Sequence, residues 1–149
     1  MPRAVCAALL AAALLAACSR EDPPELPAAC RGAGPDEVRA ALARVPAAVT
    51  LEGTRLSECI SGASDSADLQ QMGAVYLAVA TDLAPVARAR PDGVAAEQLG
   101  YLIGAVERGS EGAQGVPYEL VRRLEQEARG IEARSAMFRS GKRVGRSSG

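Results

Sequence analysis

The sequence predicts an all-α fold: a small bundle of about four helices, with an extended or hairpin segment near residues 49–56. Two observations carry that expectation. Aromatic residues are scarce: in 149 residues Phe138 is the only Phe, there are three Tyr, and there is no Trp. A core drawn from Ala, Val and Leu suits close helix packing better than a large β-sandwich. Apolar positions also recur at helical spacing in four separate segments. The length fits one folded domain.

The first helix is expected over 35–45. Pro35 suits the first helical position, and Asp36 and Glu37 complement the positive end of the helix dipole. Val38, Ala41, Leu42 and Val45 then follow at i, i+3, i+4 and i+7, and Pro46 stops the run. Residues 49–56 (VTLEGTRL) hold Gly53 at a turn, so they read as a small hairpin or as irregular extended chain. Leu56, Cys59 and Ile60 predict a helical turn.

The strongest periodicity lies over 65–89. Leu69, Met72, Tyr76, Val79, Leu83 and Val86 trace one face, and Asp65 is placed to cap it with Asp68 in the first turn. Pro85 predicts a kink, or an end near Ala84. Pro91-Asp92-Gly93 is a turn before a third helix over 94–108, whose apolar face is Leu99, Leu102, Ile103 and Val106. Gly100 and Gly104 each cost about 1 kcal/mol relative to Ala there. Close approach of a neighbouring helix explains them better than a ligand groove. Residues 109–115 (GSEGAQG) form a loop. A last helix then opens at Pro117, with Leu120, Val121, Leu124, Ala128 and Ile131 facing inward. Glu119 with Arg123 and Glu125 with Arg129 are i,i+4 pairs on its exposed side.

After Glu132 there are no acids, but five bases: Arg134, Arg139, Lys142, Arg143 and Arg146. This Ser/Gly-rich stretch, 135–149, reads as a disordered basic tail able to lie on anionic headgroups. The formal net charge of −1 supplies no global pull toward nucleic acid or anionic membrane. No nucleic-acid partner is expected.

Histidine is absent. Its absence removes Ser-His-Asp and Cys-His nucleophile sets and the usual imidazole metal sites. Glu58, Asp65 and Asp68 match no calcium-ligand order and read as caps or solvated surface. The loop 109–115 lacks the Lys-Ser/Thr ending of a phosphate loop. Neither a metal nor a cofactor is expected, and no catalytic set is recognisable.

The N-terminus is more specific. Arg3 precedes a 14-residue uncharged Ala/Leu-rich run, 4–17, which is short of the roughly 20 residues a spanning helix needs and right for a signal-peptide core. The run closes on Leu15-Ala16-Ala17-Cys18 and gives way at once to charge and proline (SREDPP). At this point the chain resembles bacterial lipoproteins, whose lipobox is a Leu-small-small-Cys signature at the end of the signal core. The resemblance covers only the first 18 or so residues, and no family is recognised for the rest.

It implies cleavage between Ala17 and Cys18, diacylglycerol on the Cys18 sulfur and acylation of its new amine. Two or three acyl chains, at about 0.8 kcal/mol per buried methylene, anchor a protein durably. It also implies a place in the cell envelope, tethered to a membrane. Ser19, where inner-membrane retention uses Asp, points to the outer membrane if the cell has one. Without a lipobox, the same run would serve an ordinary secreted protein.

Four cysteines are present. Under this resemblance Cys6 falls in the discarded leader and Cys18 carries the lipid. Cys30 and Cys59 remain, in an oxidising compartment where pairing is expected. A redox or metal pair is the alternative, weakened by the lack of CxxC spacing and of His. The expected organisation is therefore a removed leader (1–17), a lipid-anchored Pro/acidic tether (18–29), a disulfide-stapled helical domain (30–134) and the basic tail (135–149).

For function, the expectation is a helical module that binds an envelope protein or other component. A small-ligand or lipid carrier, with a cleft between Ala- and Gly-rich helices, is the alternative. An enzyme limited to carboxylates such as Asp65, Asp68, Asp82 or Glu97 ranks last.

Overall fold

The computed structural model describes residues 26–63 and 65–149. The expected leader, Cys18 and the tether up to residue 25 lie outside the described residues. Among the described residues the chain forms α1 (Ala28–Arg31), α2 (Pro35–Leu42), β1 (Thr50–Leu51), β2 (Thr54–Arg55), α3 (Leu56–Ser61), α4 (Ser66–Ala89), α5 (Val94–Gly109), α6 (Val116–Glu127) and α7 (Ala136–Ser148). The fold is helical, with more helices than the expected four. The additions are the short α1 and the C-terminal α7, while α3 is the helical turn expected at Leu56, Cys59 and Ile60. The tether boundary also moves, because Leu26 is already buried and α1 begins at Ala28, inside the range assigned to the tether.

Local signals set most of the boundaries. Pro35 opens α2, and the Gly34 amide donates to Glu37 Oε2 at 3.0 Å. Asp65 caps α4 by accepting from the Asp68 amide at 2.8 Å, which satisfies one of the orphan donors of the first turn. The strands pair antiparallel, Thr50 with Arg55 and Leu51 with Thr54. Glu52 and Gly53 between them both have positive φ, 46° and 92°. That combination matches the twist of a two-residue hairpin. The segment is a hairpin rather than irregular chain.

Helix α4 does not end near Ala84. It runs through Pro85 to Ala89, because Pro85 falls on the exposed side close to the C-terminus, where few ladder bonds remain to be lost. The buried stripe changes there too: Val86 is 41% exposed while Ala87 is buried. A strict 3,4,3,4 spacing drifts about 20° per heptad on a straight helix. Ala87, about five whole turns beyond Leu69 at 3.6 residues per turn, stays over the core and Val86 leaves it.

Helix α5 is the hub. From Ala96 to Val106 every residue except Gln98 is buried, as expected of a helix surrounded by neighbours. It contacts α2, α3, α4, α6 and α7, with α7 its largest partner. The disulfide Cys30–Cys59 is formed, with Cα atoms 5.5 Å apart and the two residues 29 positions apart in sequence. It ties α1 to α3, and closing that loop stabilises by about 3.6 kcal/mol in the chain-entropy model.

The largest correction concerns 135–149, which is not a disordered tail. Ser135 is fully buried and caps α7 by accepting from the Phe138 amide at 2.8 Å. Phe138 is buried as well. The helix then lies against α5 through glycines on both sides. A Cβ at Gly100 would sit 2.1 Å from the Phe138 carbonyl oxygen, and one at Gly104 would sit 2.1 Å from that of Lys142. Reciprocally, a Cβ at Gly141 would lie 2.0 Å from the Glu97 carbonyl oxygen, and one at Gly145 would lie 2.1 Å from that of Tyr101. Two Gly-x-x-x-Gly pairs thus face each other and bring two backbones into contact. The expectation that Gly100 and Gly104 admit a close neighbour holds.

Replacement of Gly100 by Ala should cost about 2–3 kcal/mol in urea unfolding, since overpacking against a backbone outweighs the roughly 1 kcal/mol gained in helix propensity. Neutral or improved stability for Gly100→Ala would refute the contact.

Candidate functional site

Two concave regions carry chemistry. The larger, about 650 Å³, runs between α4 and α6. Leu69, Gly73, Leu77, Val116 and Leu120 make its apolar wall, with Glu119 and Arg123 at its edge. Arg123 Nε donates to Glu119 Oε1 at 3.1 Å, and Arg122 Nε lies 3.3 Å from Glu119 Oε2. Its volume falls in the range of small-molecule sites. Gly73 differs from the helical glycines of α5 and α7. A Cβ there would meet only the Leu120 side chain, at 3.5 Å, which is ordinary contact. Packing does not demand glycine at that position, and glycine costs helix stability. A side chain there would point toward Leu120 on the groove wall.

The second region, about 500 Å³, is lined by Ile103, Ala128, Phe138 and the charged groups of Glu125, Arg129, Glu132 and Lys142. Helix α7 delivers Lys142, the only lysine, to Glu107 of α5 with Nζ 2.8 Å from Oε1. Glu132 and Glu125 stand 3.7 and 3.9 Å from the same nitrogen. Burial disfavours the ammonium, but the hydrogen bond and charge of Glu107, with the charges of Glu132 and Glu125, outweigh it and raise the Lys142 pKa above the usual lysine value. The other Glu107 oxygen, Oε2, is buried without a hydrogen-bond partner among the described residues, and Arg146 Nε is 3.4 Å away. This cluster fastens α7 onto α5 at the flank of the glycine contact. Glu125 faces Lys142 at 3.9 Å, and α6 ends at Glu127, before Arg129, the partner that the i,i+4 pattern assigned to Glu125.

The residues singled out from the sequence are scattered. Cys18 and Ala17 lie outside the described residues. Cys30 and Cys59 are joined. Asp65 caps α4, and Glu58 accepts the Arg55 amide at 2.9 Å to cap α3. Asp82 pairs with Arg39 across α4 and α2, and Glu97 is a nearly buried side chain in the first turn of α5. Met72 and Tyr76 are fully buried. The Tyr76 hydroxyl donates to the Leu56 carbonyl at 3.0 Å, and burial pushes its pKa far above the usual phenol value. The Lys142 cluster was not anticipated. Its signal was present, a single lysine among arginines within reach of glutamates, but in a segment that reads as disordered.

Among the described residues no group of three or more His, Cys, Asp and Glu side chains is placed to hold a metal ion. No helix among them is long and apolar enough to cross a membrane. Comparison with protein-family models, with curated proteins and with solved structures gives no match for this chain.

Proposed function

We propose that the protein is a lipid-anchored envelope lipoprotein whose helical domain, 26–149, is a binding module. The observation that carries this reading is the use of the cysteines. An apolar run ends on Leu15-Ala16-Ala17-Cys18, and the two cysteines of the folded domain are spent on each other. With Cys6 inside the apolar run of the leader, Cys18 is then the thiol left for a lipid. A disulfide in the domain also suits an exported, oxidising setting. The acidic and proline-rich residues 19–25 would separate the anchor from the domain.

Intact-mass analysis of the membrane fraction should give a chain beginning at Cys18 with diacylglycerol and an added acyl group. Cys18→Ser should give no lipidated mass. An unlipidated mature mass for the wild type would overturn the reading.

A second reading is favoured by Gly73. A glycine that packing does not require, on the floor of an apolar groove of about 650 Å³, suits a carrier of a small apolar molecule. Saturated fatty acids of increasing chain length should raise the melting temperature of the wild-type domain, as any ligand of the native state must. Gly73→Leu, which fills the groove, should abolish the shift. Equal shifts in both proteins, or none in the wild type, would remove this reading.

A further inference from the structure

We infer that the outer face of α7 is a headgroup-binding surface, which seats the domain on anionic lipid; the inference rests on the envelope reading above for the presence of that membrane. Helix α7 contains Arg139, Lys142, Arg143 and Arg146 and no acid. Gly141 and Gly145 face α5 and are buried, as is Phe138. Arg139, Arg143 and Arg146 recur at spacings of four and three on the far side, and all three are exposed.

The internal partners of these guanidinium groups leave the charge outward. Arg139 donates to the backbone carbonyls of Glu132 and Ala133, which orients the side chain without neutralising it. Among the described residues Arg143 has no hydrogen-bond or ion-pair partner. Arg146 alone approaches a carboxylate, Glu107, which it shares with Lys142. The carboxylates of Glu107, Glu125 and Glu132 gather within 3.9 Å of Lys142 Nζ, and among the described residues Glu107 alone of the three also meets the arginine stripe, at Arg146. A row of guanidinium groups on a rigid helix fits phosphate oxygens, which it can meet with forked hydrogen bonds.

The placement of the helix agrees with this occupant. Pro27, at the root of the tether, packs beside Gly62 at the end of α3. Ser57, in the first turn of the same helix, donates to the Gly149 carbonyl at the end of α7. Helix α3 has six residues, so tether root and arginine helix stand on the order of 10 Å apart along it at 1.5 Å per residue. The eight residues 18–25 can span at most about 28 Å. A lipid on Cys18 therefore keeps the domain close enough for α7 to reach the headgroups, where each base is favoured about fivefold.

The test uses the mature-length chain, residues 18–149 with Cys18→Ser, so that it carries no lipid. It is floated with vesicles of phosphatidylcholine alone, or of equal parts phosphatidylcholine and phosphatidylglycerol. The chain should partition to the anionic vesicles on the order of 100-fold better, and less so as salt rises. Arg139→Gln with Arg143→Gln should lose about 25-fold, and Arg143→Gln alone, which breaks no contact, about fivefold with an unchanged melting temperature. Arg122→Gln with Arg123→Gln on α6, an equal loss of charge, should stay within about twofold of the parent. No preference for anionic vesicles, or an equal loss in the α6 variant, would overturn the inference. Because the chain is lipid-free, that failure leaves the Cys18 anchor standing, and an unlipidated mass from membranes leaves the vesicle result standing.

Discussion

The contact between the backbones of α5 and α7 is the constraint on which the rest of the structure depends. Four glycines stand where a Cβ would come within 2.0–2.1 Å of a carbonyl oxygen on the facing helix. Each helical glycine costs about 1 kcal/mol in propensity, so the two helices together give up roughly 4 kcal/mol of intrinsic stability. Close packing must return more than that. It does so through dense dispersion contact and weak Cα–H donors meeting carbonyls along the crossing. Phe138 adds its buried ring, and Lys142 reaches Glu107 at the flank. Arg108 closes the far end by donating to the Arg146 and Ser147 carbonyls at 3.0 and 2.9 Å.

Docking of α7 completes the burial of α5, and this decides how the domain works as a scaffold. A helix buried on nearly every side has little freedom to shift, so the smaller elements pack on a fixed axis. The Tyr101 hydroxyl accepts from the Val49 amide at 2.9 Å, anchoring the start of the hairpin to α5. Gln98 donates to the Leu42 carbonyl at 3.2 Å and ends α2 against the same helix. On the other side of the core the disulfide holds α1 to α3. The openings are left at the edges, between α4 and α6 and beside Lys142, where the elements diverge.

Much of this was legible in the sequence because the signals are local. The cap at Asp65, Pro35 at the start of α2 and the Glu52-Gly53 turn each fix a boundary within a few residues. The apolar stripe from Leu69 to Leu83 fixes a buried face. The pairing of Cys30 with Cys59 followed from cysteine counting. Helix α7 was not legible for an equally physical reason. The segment AMFRSGKRVGRSS combines two glycines, four bases and three serines, a composition with poor intrinsic helicity, and its stability comes from tertiary contact. Its glycine spacing matches that of Gly100 and Gly104, and Ser135 stands three residues before Phe138 as a cap. Those two features were the available signal. The Lys142 cluster and the outward arginine stripe followed α7 into obscurity, since neither exists until the helix does. Pro85 left open a kink or an end near Ala84, and the helix continues to Ala89 because one lost hydrogen bond near a helix end is cheaper than the same loss in the middle.

Amide hydrogen exchange tests the docking of α7 most directly. If the glycine contact holds, the amides of 139–148 exchange as slowly as those of 98–109, because the two helices open together. Exchange of 139–148 at the rate of unstructured chain, with 98–109 still protected, would contradict the account.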